Sequence, residues 1–152
     1  MITTEQIKEL RDKTGISVMQ CKKALEESGG DMAKALEVLK KKSQEMAAKK
    51  ADRAFGAGTI ASYVHSSSIM GTIVELVAET DFVSGNEEFK ALARDIAMHI
   101  TAVNPESPEA LLEQPFIKNP DMTIRAMIDG AMQKFGEKIE ISRFMRFGVL
   151  EK

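Results

Sequence analysis

The sequence has one cysteine, no tryptophan, one tyrosine and four prolines among its 152 residues. A lone cysteine cannot form an intrachain disulfide or build a thiolate-rich metal site. We predict no bound metal or cofactor. The single cysteine also favours a reducing, cytoplasmic environment. No apolar run approaches the roughly 18 residues that a membrane-spanning helix needs. The first nine residues lack the apolar segment of a secretory signal, so we predict neither secretion nor a membrane contact.

A strong charge of either sign is also missing. The 21 Lys and Arg residues face 23 Asp and Glu residues, so we predict no direct binding to nucleic acid. The charges are unevenly distributed, with a net of +3 over residues 1–50 and −5 over residues 51–152. The residue pattern changes at the same place. We therefore predict a three-helix domain at 1–50, a linker at 51–58 and an α+β core domain at 59–152.

The N-terminal segment has the caps and apolar spacing of three short helices. Thr3, Ser17 and Asp31 are suited to begin helices, and Gly15 and Gly29–Gly30 to end them. The apolar positions recur at helical spacing and predict one buried stripe per helix: Ile7, Leu10, Val18, Cys21, Ala24, Leu25, Met32, Ala35, Leu36 and Leu39. A bundle this small is typical of a binding module, because it has no room for a catalytic cleft.

Two features of this segment have both a functional and a structural interpretation, and we favour the structural one for each. Cys21 lies on the apolar stripe, far in sequence from His65 and His99, so we predict a core residue rather than a nucleophile. The runs Lys40–Lys42 and Lys49–Lys50 lie near the predicted end of the third helix. We interpret them as a solvated face and not as an RNA contact.

The C-terminal segment begins with a predicted β-hairpin. Thr59–His65 and Thr72–Glu79 are rich in β-branched residues and are separated by a serine run. Ser84 and Glu87 have capping-box spacing and predict a helix that continues to Ala102.

All four prolines lie between residues 105 and 120, so this stretch is predicted to be broken. Pro108 and Pro120 each suit the first turn of a helix. Glu137–Leu150 alternates apolar and polar residues and predicts a long strand. The resulting order, β-β-α-α-α-β, predicts a small antiparallel sheet with helices packed on one face.

The segment Thr80–Val83, at the predicted end of the hairpin, does not behave like core. With Ser84 as the N-cap, the staple partner of Val83 would be Glu88, which is not apolar. Phe82 therefore stands in a loop without an evident local partner. It can fold under into the core, or it can be an exposed interface anchor. The local pattern leaves both alternatives open.

Several motifs resemble bacterial translation elongation factor Ts. They are Leu10–Gly15, Cys21–Leu25, Gly30–Asp31, Glu79–Val83, Asn86–Phe89, Met98–Ile100 and Arg143–Phe147. They occur in the family's order and span nearly the whole chain. The resemblance implies a guanine nucleotide exchange factor, not an enzyme. Such a factor binds elongation factor Tu in its GDP-bound and nucleotide-free states and promotes GDP release.

The resemblance also implies contact residues. A ubiquitin-associated-like N-terminal domain would dock on the nucleotide-binding domain of Tu through Lys8, Val18 and Met19. The segment Thr80–Val83 would also contact Tu. Within it, Asp81 and Phe82 would approach the magnesium and phosphate region, with Phe82 as a wedge between helices of Tu.

Three further implications concern secondary contacts and assembly. His99 and Phe135 would be secondary wedges, and Phe135–Gly136 stands where the family usually has Ile-Gly. The chain lacks the second core repeat of long members and is similar to the short members, which act as homodimers. The resemblance therefore implies a homodimer.

Two other functions are compatible with parts of this sequence. A ubiquitin-associated-like adaptor with a dimerisation domain would need no exchange activity and would leave Phe82 unimportant. An enzyme would need a convergent site, yet His65 lies on a predicted strand. His99 lies on a predicted helix without a Cys, Ser or carboxylate at an obvious spacing.

Overall fold

The computed structural model describes residues 2–50 and 52–151, so the first residue of the predicted linker, Ala51, lies outside the described part. The chain divides into two compact units. The first comprises the described residues of Met1–Asp52 together with Asp129–Gly136, and the second those of Arg53–Ile128 together with Glu137–Lys152. Residues 129–136, which we assigned to the core domain, thus cluster with the N-terminal helices.

The first unit begins with three helices: α1 at Thr4–Thr14, α2 at Val18–Glu27 and α3 at Met32–Lys49. Their apolar stripes meet in one buried cluster, formed by Leu10, Ile16, Cys21, Ala24, Leu25, Ala35 and Leu39. Cys21 is buried, as predicted, and its Sγ donates to the carbonyl of Ile16 at 3.6 Å. Burial raises the pKa of the Cys21 thiol, which keeps it protonated.

The predicted caps begin these helices. The Thr3 hydroxyl accepts from the Gln6 amide at 3.1 Å, and the Thr3 amide donates to the Gln6 side chain at 2.9 Å. This completes a capping box. Ser17 and Asp31 cap α2 and α3 through one bond each, in which the side chain accepts from the amide three residues on.

The second unit contains most of the remaining elements. They are β1 at Ala57–Val64, β2 at Met70–Ala78, α4 at Asp81–Ser84, α5 at Glu87–Val103, α6 at Pro108–Leu112, β3 at Pro115–Phe116, β4 at Asn119–Thr123, α7 at Ile124–Phe135 and β5 at Glu140–Gly148. The last part of α7 belongs to the first unit. Strands β1, β2 and β5 form an antiparallel sheet with β2 at its centre, and β3 pairs with β4. The predicted mixed helix-and-sheet class, with a small antiparallel sheet, is confirmed.

The two faces of the three-stranded sheet differ in burial. One face packs against α5, and Thr72, Val74, Leu76 and Ala78 of β2 are buried on it. The opposite face carries exposed apolar side chains at alternate positions of all three strands: Ile60, Val64, Ile73, Met145 and Phe147. Ile73 and Met145 are direct cross-strand partners on this face.

Three boundary predictions are wrong. Asn86, not Ser84, is the N-cap of α5, and its side chain accepts from the Glu88 amide at 2.8 Å. Pro120 lies in β4 instead of starting a helix, because residues 115–123 pair as a short hairpin and α7 begins at Ile124. The last strand is also shorter than predicted at both ends.

Candidate partner-binding surfaces

The segment Thr80–Val83 is not the loop that we predicted but the start of a single helical turn, α4. The Thr80 side chain caps this turn and accepts from the Val83 amide at 3.5 Å. The amides of Ser84 and Gly85 donate to the carbonyls of Thr80 and Asp81 at 3.1 and 2.8 Å. These bonds give the segment a defined backbone conformation immediately after β2.

The side chains of the α4 turn face either the protein interior or solvent. Val83 and Ser84 are buried, whereas Phe82 is 88% exposed and Asp81 is exposed beside it. This decides between the two alternatives for Phe82: it is not a core residue. A large aromatic held out in solvent by a turn whose next residue is buried has the geometry of an interface anchor.

The carboxylate of Glu137 is bonded to the beginning of this turn. Its Oε1 accepts from the backbone amides of Glu79 and Thr80, both at 3.0 Å. Its Oε2 accepts from the Thr80 hydroxyl at 2.6 Å. All of these residues belong to the second unit. One ionised side chain therefore receives three hydrogen bonds from two consecutive residues, and bonds to a charged acceptor are stronger than neutral ones.

A second carboxylate, that of Glu79, binds the segment that contains Glu137. Glu79 accepts from the backbone amide of Lys138, and its Oε2 lies 3.4 Å from Nη1 of Arg53. The segments 79–80 and 137–138 are thus joined by side-chain-to-backbone bonds in both directions. Sequence reasoning did not identify this pair of contacts, because the partners are 57 to 59 residues apart and no local pattern marks them.

The predicted contact residues of the N-terminal helices lie on the surface of the first unit. Lys8 is exposed on α1. Val18 and Met19 form the first turn of α2 and are 50% and 77% exposed. The capped start of α2 therefore presents two apolar side chains to solvent, although helical periodicity placed Val18 on the buried stripe.

Phe135 and Gly136 form the end of α7 and also belong to the first unit. Phe135 is half-buried, and Gly136 ends the helix with a φ of 74°, its amide donating to the carbonyl of Met132 at 2.9 Å. The side chain of Gln133 donates to Gln20 at 3.0 Å and accepts from the Ser43 hydroxyl. These bonds hold the end of α7 beside α2 and α3, and the α2 partner, Gln20, follows Met19 in the chain.

His99 is fully buried, so the side chain that the resemblance implied as a wedge is not exposed in this chain. Its Nδ1 accepts from the Ile117 amide at 3.2 Å, which leaves Nε2 as the protonated nitrogen, 3.0 Å from Oε1 of Gln114. Burial lowers the pKa of His99, and the bond to Gln114 only partly opposes this. The geometry is that of a neutral core histidine joining α5 to the β3 region.

Neither a metal site nor a membrane-spanning helix is found in the part of the chain that the structure describes. No group of three or more His, Cys, Asp or Glu side chains within residues 2–50 and 52–151 is arranged to hold a metal ion. No helix in those ranges is long and apolar enough to cross a bilayer.

Known proteins resemble this chain along nearly its whole length. The family model for Elongation factor TS matches residues 79–152, so the match begins at the residue before Thr80. Elongation factor Ts of Carboxydothermus hydrogenoformans is 39% identical over 97% of this chain and 88% of its own length. The proteins of the same name from Desulfotalea psychrophila and Thermodesulfovibrio yellowstonii are 40% and 41% identical over 97% of this chain, and over 98% and 96% of their own lengths. The chain belongs to the elongation factor Ts family.

Family membership confirms the resemblance inferred from the sequence motifs. The part of this chain that the family model matches, residues 79–152, contains both the α4 turn with Phe82 and the carboxylate of Glu137. The alignments with these three relatives extend over 192 or 193 positions, more than the 152 residues present here. The relatives therefore carry additional positions without a counterpart in this chain.

Proposed function

We propose that this chain is a guanine nucleotide exchange factor for elongation factor Tu in translation elongation. The observation that carries the proposal is the exposed Phe82 on the capped α4 turn, within the region that matches the elongation factor Ts family. The relatives' name associates them with translation elongation. The proposal places the chain in the cytoplasm, where Tu acts.

Exchange of this kind is a coupling between two ligands of Tu. The factor binds nucleotide-free Tu more tightly than Tu carrying GDP, and by reciprocity its binding weakens that of GDP. A coupling of about 1–3 kcal/mol corresponds to roughly a 5- to 150-fold change in affinity. The factor needs no reacting group of its own, so the proposal does not make it an enzyme.

In this proposal, Phe82 and Asp81 disturb the site on Tu that binds magnesium and the phosphates of GDP. Phe82 inserts between helices of Tu, because an exposed aromatic on a fixed turn can enter a pocket with little loss of conformational entropy. Asp81 and the backbone of the turn then approach the groups that hold magnesium on Tu. Loss of magnesium leaves the phosphate charges of GDP uncompensated, so GDP dissociates faster.

The first unit supplies the anchoring contacts. Val18 and Met19 are exposed apolar residues at the start of α2, and Lys8 adds a positive charge on α1. Phe135–Gly136 extends this surface, because the bond from Gln133 to Gln20 holds the end of α7 beside α2. We also propose that these helices form a ubiquitin-associated-like domain. His99 is not among the proposed contact residues, because it is buried.

We also propose that the chain acts as a homodimer. The sheet face opposite α5 exposes five apolar side chains on adjacent strands, and contiguous apolar surface of this kind marks interaction sites. β1 and β5 are edge strands within this sheet. A second copy with the same face would cover these residues, as a two-fold symmetric interface does.

The direct test is release of fluorescent GDP from purified Tu with and without this protein. Release should accelerate in proportion to the concentration of the factor until it saturates. The adaptor function predicts binding to Tu or another partner with no change in the release rate. That outcome would contradict the exchange proposal.

A further inference from the structure

We propose that Glu137 is a positioning residue that holds the Phe82-bearing turn in its binding conformation. The inference rests on the proposed exchange function and adds a residue that does not itself form part of the exposed contact set. Its basis is geometric. Three hydrogen bonds from Glu79 and Thr80 converge on the Glu137 carboxylate at 2.6 to 3.0 Å.

The local bonds of α4 are too few to hold Phe82 by themselves. The helix has four residues, and its cap bond from Val83 to Thr80 is long, at 3.5 Å. An isolated helical turn is unstable, because few hydrogen bonds compensate the ordering of its backbone. The three bonds to Glu137 fix the cap residue and the residue before it. They therefore set the direction in which the turn leaves β2.

The position of Glu137 in the chain gives this anchor a rigid base. Two residues after Glu137, Ile139 is buried, and the β5 strand begins at Glu140. The pairing of β5 with β2 then continues from Val77–Glu140 to Met70–Gly148. The anchored turn follows the last residue of β2, Ala78. Glu137 thus connects the turn to the neighbouring strand of the same sheet.

Such an anchor should affect apparent affinity more than the maximal exchange rate. If the turn samples other conformations, only the competent fraction of molecules binds, and the apparent dissociation constant rises in inverse proportion to that fraction. Once the partner has bound and ordered the turn, Phe82 occupies its normal place. Removing Phe82 itself should instead lower the rate at saturation.

The test compares Glu137→Gln and Glu137→Ala with Glu140→Gln as the matched control. Glu140 is an exposed carboxylate at the start of β5, three residues along the chain. Alanine removes all three bonds, whereas glutamine keeps a neutral oxygen that can accept the two amide bonds but loses the charge. The expected order of effect is therefore alanine, then glutamine, then the control. If the alanine variant does not fold, the glutamine variant carries the test.

Two measurements are made on the full chain. Hydrogen exchange of the Thr80 amide, followed by NMR, should speed up about tenfold in Glu137→Ala and less in Glu137→Gln, since a net bond to a charged group shifts an opening equilibrium by roughly that factor or more. In the GDP-release assay, the half-saturating concentration should rise about three- to tenfold while the saturating rate stays within about twofold, as a reduced competent fraction requires. Glu140→Gln should change neither quantity.

The outcomes separate this inference from the proposed function. Unchanged Thr80 exchange in both Glu137 variants would overturn the positioning role, whatever happens to GDP release. Faster Thr80 exchange with an unchanged half-saturating concentration would also overturn it, because the turn would then not need to be held for binding. If the wild-type chain fails to stimulate GDP release, the exchange function is wrong. The Thr80 amide then decides by itself whether Glu137 holds the turn.

Discussion

Truncation of Phe82 to alanine separates an exposed wedge from a structural residue. A buried phenylalanine costs about 3–5 kcal/mol of folding stability when it is replaced by alanine. Phe82 is 88% exposed, so little of its surface leaves water on folding and the free energy of unfolding should change by less than about 0.5 kcal/mol. The melting temperature should therefore move by no more than about 2 °C for a chain of this size.

The effect on exchange should be much larger. A central aromatic anchor typically contributes about 2 kcal/mol or more to an interface, which corresponds to roughly a 30-fold loss. Because the wedge acts as GDP leaves and not in the initial complex, we expect this free energy to be lost from the barrier to release. The rate of fluorescent GDP release from Tu at saturating Phe82→Ala should therefore fall by that order. Binding should weaken less, because Val18 and Met19 remain available on the first unit.

Two controls define the interpretation. Phe89, seven residues along the chain at the start of α5, is fully buried, so Phe89→Ala should lower the melting temperature by roughly 6–20 °C. Val103 is 40% exposed at the end of α5 and outside the proposed contact set, so Val103→Ala should leave both stability and exchange nearly unchanged. A strongly destabilised Phe82→Ala that still stimulated exchange at the wild-type rate would refute the wedge role.

Three further predictions concern assembly, pH dependence and domain structure. Light scattering at micromolar concentration should give about twice the chain mass of 16.7 kDa, and Ile73→Glu, in the middle of the exposed sheet face, should give a monomer; a monomeric wild type would contradict the dimer. The folded-state pKa of His99 lies below the unfolded value of about 6.5, so its contribution to stability is complete above that value and is lost as pH falls towards the folded-state pKa. As the pH is lowered from 7.5 to 5.5, the melting temperature should therefore fall more steeply in the wild type than in His99→Gln. An equal pH dependence of the two melting temperatures would show that unfolding does not change the protonation of His99. Deleting residues 1–50 should leave a cooperative thermal transition, since the second unit has its own core around Val74, Leu76 and Phe89; a broad, non-cooperative melt would show that the units do not fold separately.

Local sequence determined the elements whose signals lie within a few residues. The caps at Thr3, Ser17 and Asp31 predicted where the first three helices begin, because a side-chain oxygen satisfies an amide only two or three residues away. The richness in β-branched residues predicted β2, and the alternation of apolar and polar residues predicted the last strand, since side chains of a strand alternate between its faces. Motifs distributed along the chain were sufficient to identify the family, because they depend on residue identity and order alone.

Tertiary structure decided the features that depend on distant partners. The β3–β4 hairpin and the position of Pro120 follow from cross-strand pairing, which helix-start signals do not report. His99 is buried because residues 114–117 return to α5 and satisfy both ring nitrogens. The α4 turn is held by Glu137, 57 residues from Thr80.

The exposure of Phe82 shows most clearly what the chain alone determined and what the fold added. The sequence determined that an aromatic stands beside a carboxylate, but it left core and surface equally open. Burial of the adjacent Val83 and the three bonds to Glu137 orient the turn so that Phe82 faces solvent. A single helical turn has too few bonds to choose its own orientation, so contacts from residues far along the chain must choose it.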